Sequence, residues 1–399
     1  MELKLKSMLI KNFKSLKDTK IELTDFNVLV GINGSGKSNI VEVFRFLKHI
    51  NQEGIINPFI KYGGYKNIVW KKNEELPVVF KLTFENKKKE TLSYKLAISG
   101  FGDVFKLEKE SIISTDFWLV NNGKDLIFEY KGQKISKEIK GMRKELFENR
   151  VLLSSTMVPW VFSSLVDLKS KDVDAIMNTI VSISEVILTP THNFIPLNMK
   201  SPAKFESSER KFLRTSQEIS PLNYDGSNLQ MILYELFSKN KSEWPKEVTN
   251  RLKILFPDIE SMVPIPTPEG KVMLEVVENG TNFIPQSLSD GFFKILAILA
   301  LSFGKTAHNI LVIDEIENSL HPEAIEILID ALKSSKKQVI ITTHSPIVLN
   351  VCKVEDILFV KKEVDETKVS RVENAEKLKK DLEKAGISTG EGWLYNVLE

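Results

Sequence analysis

The stretch Phe26-Asn27-Val28-Leu29-Val30-Gly31-Ile32-Asn33-Gly34-Ser35-Gly36-Lys37-Ser38-Asn39 decides how the rest of the chain is read. Its first five residues form a short, mostly apolar run that reads as a buried strand. The loop that follows has the form G-x-x-x-x-G-K-[ST], and Asn39-Ile40-Val41-Glu42-Val43-Phe44 opens a helical pattern directly behind it. Strand, glycine-bearing loop and helix in this order make a phosphate cradle. Glycine permits backbone angles that turn successive N–H groups inward, and the positive end of the helix points at the same place. In such a cradle Lys37 reaches the β- and γ-phosphates of a nucleotide, and the Ser38 hydroxyl ligates Mg²⁺.

A second cluster of chemistry lies far along the chain. Gln286-Ser287-Leu288-Ser289-Asp290-Gly291 precedes an apolar helical run from Phe292 to Phe303, and the buried strand Ile310-Leu311-Val312-Ile313 then stops on Asp314-Glu315. Two acids after a strand also serve as helix caps, but beside a phosphate cradle they are its magnesium-side partner. Asp314 is placed to bind Mg²⁺ directly or through water, and Glu315 to take a proton from the attacking water. Glu317-Asn318-Ser319-Leu320-His321-Pro322 follows, with a helix started by its proline, and then the strand Gln338 to Thr343 ends on His344-Ser345-Pro346. Parallel α/β sheets bind ligands at the carboxyl ends of their strands, which makes His344 a candidate γ-phosphate sensor.

Bulk properties set the outer limits. The 399 residues, 42% of them hydrophobic, suffice for two or three domains or one large domain with an insertion. A net charge of +2 argues neither for nor against nucleic acid. The single Cys352 excludes an intrachain disulfide framework and a cysteine-rich zinc site, which fits a reducing compartment. Without a run of about 18 apolar residues, no membrane span is expected, and the chain reads as soluble and cytoplasmic.

The remaining patterns organise the chain into three parts. Residues 1–135 hold the cradle, with strands at 3–13 and 16–23 that are expected to share one sheet with the strand before the loop. Alternating runs at 76–85, 91–99, 103–120 and 126–130 predict an antiparallel lobe, with Lys87-Lys88-Lys89 at a solvated hairpin turn. Residues 136–250 read as an inserted, mainly helical region, with helices over 171–188 and 228–239 and no sustained heptad repeat. His192 within it lacks a second ligand at metal spacing and reads as structural. Residues 251–399 carry the second chemical cluster, closing with strands at 356–361 and 367–372 and helices to the end.

The order Asn12-Phe13-Lys14-Ser15, cradle, Leu-Ser-Asp-Gly, Ile-Asp-Glu-Ile-Glu-Asn-Ser-Leu-His-Pro and Thr-Thr-His-Ser-Pro resembles the ATP-binding-cassette heads of the SMC/RecF/OLD group. It is most similar to the short prokaryotic AAA-family ATPases of that group, which lack long coiled coils. The likeness is firm over residues 1–50 and about 280–350. It implies an α/β P-loop NTPase with an ABC-type head, in which a mixed sheet and an antiparallel β lobe flank the inserted region. It also implies ATP and Mg²⁺ as ligands and an ATPase reaction.

Position by position, the resemblance makes Asn33, Gly34, Ser35, Gly36, Lys37, Ser38 and Asn39 the Walker A loop. Asp314 and Glu315 become Walker B with its catalytic carboxylate, and His344 the switch histidine. Asn12 and Lys14 correspond to a loop that approaches the phosphates, and Ser319 with Leu320 to a segment facing a partner subunit. Leu288-Ser289-Asp290-Gly291 matches the signature, whose Ser289 and Gly291 close the γ-phosphate site of a second subunit. A homodimer on ATP binding, with two nucleotides at its seam, is therefore implied. Two positions depart from the pattern. The glutamine that couples Mg²⁺ to the inserted lobe has only Gln133 as a poor match, and Phe292 replaces a polar residue after the signature glycine.

For the output of such an ATPase, the resemblance implies DNA repair or defence against foreign DNA. The segment after His344-Ser345-Pro346 is too short for the TOPRIM nuclease domain of some relatives, so a separate nuclease or effector is the implied partner. The competing expectation is a nucleotide-gated module that regulates a protein partner without touching DNA.

Overall fold

Phe26–Val30 is buried at all five positions, whereas Leu3–Phe13 and Leu16–Glu22 bury largely alternate residues. That difference separates them in space. A strand buried on both faces suits the interior of a covered sheet, and an alternating strand suits a sheet with one wet face. In the computed structural model, which describes residues 3–123, 125–138, 150–154, 157, 161, 168–204, 221–239, 246–304 and 309–395, they belong to different sheets. The expectation of one shared sheet is thereby corrected. The chain folds as two units, Met1–Thr189 with Leu358–Arg371, and Pro190–Ile357 with Val372–Glu399.

In the first unit, Leu16–Glu22, Leu3–Phe13, Val78–Asn86, Thr91–Phe101, Val104–Ile113, Phe117–Asn121, Asp125–Tyr130 and Gln133–Glu138 pair in that order as an antiparallel sheet. The lysine turn lies between two of these strands as predicted. Asn86 Oδ1 accepts the N–H groups of Lys88 and Glu90 there, and Lys89 takes φ +62°. Phe26–Val30 runs instead beside Ile357–Glu363, which pairs antiparallel with Glu366–Arg371. The helix Lys37–Glu53 buries Ile40, Val43, Phe44, Leu47 and Ile50, spaced three and four apart. Its Phe46 packs among Phe13, Phe59 and Phe80, with ring centroids 5.1 to 5.9 Å away. Each such ring removed from water stabilises the unit by roughly 1.5–3 kcal/mol.

Glu110 is the unusual core residue of this lobe. It is fully buried and accepts the Tyr94 hydroxyl at 2.8 Å and the Leu152 N–H at 2.7 Å. Burial pushes its carboxyl up to about 8, although both hydrogen bonds oppose the rise. The folded chain therefore keeps a proton that the unfolded chain releases near pH 4.5. Stability from this group is complete below that pH and is lost as pH rises toward 8, by at most about 5 kcal/mol. Glu110→Gln is expected to flatten the fall in melting temperature between pH 5 and pH 8. An unchanged pH slope in the variant refutes the assignment.

In the second unit, Thr191–His192, Ile310–Ile313 and Gln338–Thr343 form a parallel array, with Thr191 opposite Val312 and Ile310 opposite Gln338. Ile310–Ile313 and Gln338–Thr343 are buried throughout, as parallel strands covered on both faces are. A separate antiparallel sheet joins Ile259–Pro266, Lys271–Glu278, Thr281–Phe283 and Ala203–Lys204. The buried amide of Gln230 fastens the helix Leu229–Lys239 to it. Its Nε2 donates to the Met199 and Ser201 carbonyls, and its Oε1 accepts the Leu274 N–H at 2.8 Å. The helices expected over 171–188 and 228–239 are Ser170–Ile187, in the first unit, and Leu229–Lys239, in the second. Residues 139–149, 155–156, 158–160, 162–167, 205–220 and 240–245 of the expected insertion lie outside the described residues.

Candidate nucleotide site

The cradle loop in the first unit is built by close approach of backbone. Gly34 and Gly36 take φ +80° and +111°, a region open to glycine. A Cβ on Gly36 would lie 2.0 Å from the Thr367 hydroxyl, and one on Gly31 would lie 2.2 Å from the Val360 carbonyl. Around Gly34, by contrast, a Cβ would meet open space, so that glycine answers to its backbone angle alone. Lys37 is buried, and its Nζ donates to the carbonyls of Gly31 at 2.6 Å and Ile32 at 3.2 Å. The helix it begins has no side-chain cap and no acid in its first turn, so its positive end is not offset by a carboxylate of its own. Ser35 Oγ is buried without a hydrogen-bond partner, a polar atom aimed into the same loop. Asn33 and Ser38 stand exposed.

A network that the sequence did not announce holds this loop. Thr367, from the strand Glu366–Arg371, donates its hydroxyl to the Ser35 carbonyl at 2.9 Å and shares a hydrogen bond with Ser15 Oγ at 2.7 Å. Asn39 Nδ2 donates to that same Ser15 oxygen at 2.6 Å. Asn12 and Lys14 both take positive φ, with the Asn12 amide on the Pro77 carbonyl and the Lys14 N–H on the Ile68 carbonyl. The Lys14 ammonium lies 4.9 Å from the centre of the Tyr62 ring, and burial draws its pKa down while Glu42 pulls it up. Gln133 begins a strand, and its side chain lies outside the described residues.

The second unit aligns its two acids through one hydroxyl. Thr342 Oγ1 donates to Asp314 Oδ1 at 2.5 Å and accepts the Glu315 N–H at 2.8 Å. Asp314 is buried, and its own N–H donates to the His192 carbonyl at 2.7 Å. His192 thus matters through its backbone, with its ring stacked on Phe194 at 5.4 Å. Glu315 takes φ +51°, a strained angle for a residue with a side chain, and its Oε2 accepts Asn318 Nδ2 at 2.6 Å. The Glu317 carboxylate accepts the His344 N–H at 2.7 Å and lies 3.0 Å from Nδ1 of the half-exposed imidazole.

The signature sits at the head of the helix Asp290–Phe303. Ser289 Oγ caps it by accepting the Phe292 N–H at 3.1 Å, and Asp290 pairs with Lys200 at 2.6 Å. Ser289 is otherwise exposed. A Cβ on Gly291 would come within 2.9 Å of the Ser319 carbonyl, so the helix presses on the loop after the acids. The departure at Phe292 has a packing reason. Its ring is buried edge-on against Phe256 at 5.3 Å and Phe293 at 5.4 Å, filling the core. One residue here escaped the sequence reading. Lys294 is buried and donates from Nζ to the Glu315 carbonyl at 2.8 Å. Burial pulls its ammonium down to about 8, against the opposing charges of Glu317, Glu315 and Asp314.

Residues 26–350 match the family described as "AAA domain, putative AbiEii toxin, Type IV TA system". The chain belongs to this AAA-domain family. Relatives agree with the assignment. An ATP/GTP phosphatase of Helicobacter pylori is 25% identical over 364 residues, 86% of this chain and 85% of the relative. The Old nuclease of Escherichia phage P2 is 24% identical over 380 residues, 88% of this chain but only 58% of the nuclease. In structure, the AAA-domain chain is similar to an Smc head bound to the C-winged helix domain of ScpA. The TM-score is 0.52 at 14% identity, over 94% of this chain and 99% of that one. The AAA-domain protein is thus an SMC/RecF/OLD-like ATPase with the α/β fold of an ABC-type head.

Its donor set suits a magnesium nucleotide. Among the described residues no group of three or more His, Cys, Asp or Glu is placed to hold a metal by itself. Ser38 in the first unit and Asp314 in the second, each taken by itself, offer a hard oxygen donor of the kind Mg²⁺ takes alongside phosphates and water. The unpartnered Ser35 Oγ and the uncapped helix end are equally suited to phosphate oxygens.

Proposed function

We propose that this AAA-domain protein binds Mg-ATP and hydrolyses it to ADP and phosphate, two chains closing head-to-tail on two nucleotides. The observation that carries this reading is the single Thr342 hydroxyl that aligns Asp314 with Glu315, while Asn318 aims the Glu315 carboxylate. Bound Mg²⁺ supplies charge neutralisation between the phosphates. Asn33 to Asn39 with Lys37 hold the phosphate chain, Ser38 and Asp314 hold the metal, and Glu315 receives the proton of the attacking water. His344, kept in place by Glu317, senses the γ-phosphate, and Asn12 and Lys14 flank the nucleotide. Ser289 and Gly291 act on the nucleotide of the second chain. The Helicobacter relative named as an ATP/GTP phosphatase supports the hydrolytic part.

The output of the cycle is DNA repair or defence against foreign DNA with a separate nuclease or effector, in the cytoplasm. The likeness to the phage Old nuclease supports it, and among the described residues no helix is long and apolar enough to cross a membrane. A second reading, a nucleotide-gated module that regulates a protein partner without DNA, draws support from the toxin–antitoxin wording of the family description. The mass in solution of the Glu315→Gln protein, with and without Mg-ATP and a DNA fragment, separates them. Doubling of mass on Mg-ATP with DNA joining the complex is the expected result. Doubling that ignores DNA favours the second reading, and a mass that ignores ATP refutes the shared site.

A further inference from the structure

We propose that Lys294 is a positioning residue for hydrolysis: its bond to the Glu315 carbonyl fixes the aim of the Glu315 carboxylate within one chain and ties it to the signature helix. The inference rests on the ATPase reading of the same site. Three observations carry it. Lys294 follows Gly291 by three residues, so both lie on one face of the helix Asp290–Phe303. From that face Gly291 abuts the Ser319 carbonyl, and Lys294 holds the Glu315 carbonyl at 2.8 Å. Glu315 and Ser319 are the two residues of this loop with positive φ, +51° and +64°, so the helix grips the loop at its two strained points.

A structural role alone does not explain an ammonium there. Phe292, Phe293, Ile295 and Leu296 around it in sequence are all buried and apolar, and a hydrophobic residue would pack among them without the desolvation of a charge. What lysine adds is a donor long enough to reach the backbone of the catalytic acid. Movement of the signature helix, whose N-terminus faces the second chain's nucleotide in the proposed dimer, is thereby passed to the acid of its own chain.

The test is steady-state ATP hydrolysis and thermal unfolding of the full chain as wild type, Lys294→Met and Lys294→Arg. In Lys294→Met, kcat is expected to fall by about 100-fold, the size of effect that a 1 Å misplacement of a reacting group produces. KM should stay within about threefold, since no phosphate contact is removed. Lys294→Arg, which keeps a charged donor, is expected to recover most of kcat. Should Lys294→Met not fold, Lys294→Gln, whose donor nitrogen is one atom nearer the backbone and uncharged, is held to the same thresholds. Wild-type kcat in the shortened variants, or an equal loss in Lys294→Arg, overturns the inference. Absence of turnover in the unsubstituted chain overturns the ATPase reading and this inference with it.

Discussion

Glu315→Gln is expected to bind Mg-ATP as the wild type does and to hydrolyse it about 10²–10⁴-fold more slowly, the usual contribution of a positioned general base. Glutamine has the shape of glutamate, and its amide oxygen still accepts the Asn318 Nδ2 hydrogen that Glu315 Oε2 accepts at 2.6 Å. The left-handed backbone at this position is held by groups the substitution leaves alone, the Thr342 hydroxyl on its N–H and the Lys294 ammonium on its carbonyl. The basicity and the negative charge are removed, while the shape and these hydrogen bonds are kept. The loss should therefore appear in kcat with the melting temperature nearly unchanged, and the nucleotide should remain bound as ATP. Turnover at the wild-type rate would show that Glu315 is not the base.

Lys37→Ala is expected to weaken Mg-ATP binding by roughly 1.5–3 kcal/mol, the worth of hydrogen bonds from a charged group, or about 10- to 150-fold in Kd. The ammonium is buried inside the loop, 2.6 Å from the Gly31 carbonyl and 3.2 Å from that of Ile32. Its removal takes away the cation proposed to face the phosphates and leaves both carbonyls without this donor. Titration calorimetry with Mg-ATP reads the affinity, and thermal unfolding of the ligand-free protein reads the second effect. An unchanged Kd refutes the cradle as the nucleotide site.

The reach of the sequence can be judged from particular residues. Lys37, Asp314 and Glu315 stood out as candidates because a glycine-bearing strand–loop–helix and a strand ending on acids are local patterns, readable within a dozen residues. The helix Lys37–Glu53 was legible from its three- and four-residue apolar spacing. Thr367 was not, since its partners Ser15 and Ser35 lie more than 300 positions away in the chain. Nothing about a threonine in a hairpin strand announces such a partner. Lys294 was hidden inside an apolar helix, where one long charged side chain reads as snorkelling. A lone lysine amid Phe292, Phe293, Ile295 and Leu296 was nevertheless a signal that it meets an acceptor inside the protein. His192 stacks its ring on Phe194, and its backbone carbonyl on the Asp314 N–H was beyond any sequence pattern.

By itself the sequence determined the chemical class, because the groups that bind phosphate and metal are set by residue type at short spacing, and short spacing survives in any fold that keeps strand, loop and helix. It marked the longer helices and most strands for the same reason, since periodicity is local, and it missed the short helices Ile56–Lys61 and Pro196–Lys200. Tertiary structure alone decided which strands share a sheet, moving Phe26–Val30 away from Leu3–Phe13 and Leu16–Glu22. It also decided how the acids are aimed. Thr342, Asn318 and Lys294 converge on Glu315 from a strand, a loop and a helix, and hydrogen bonds between segments so far apart exist only once burial has brought their backbones together.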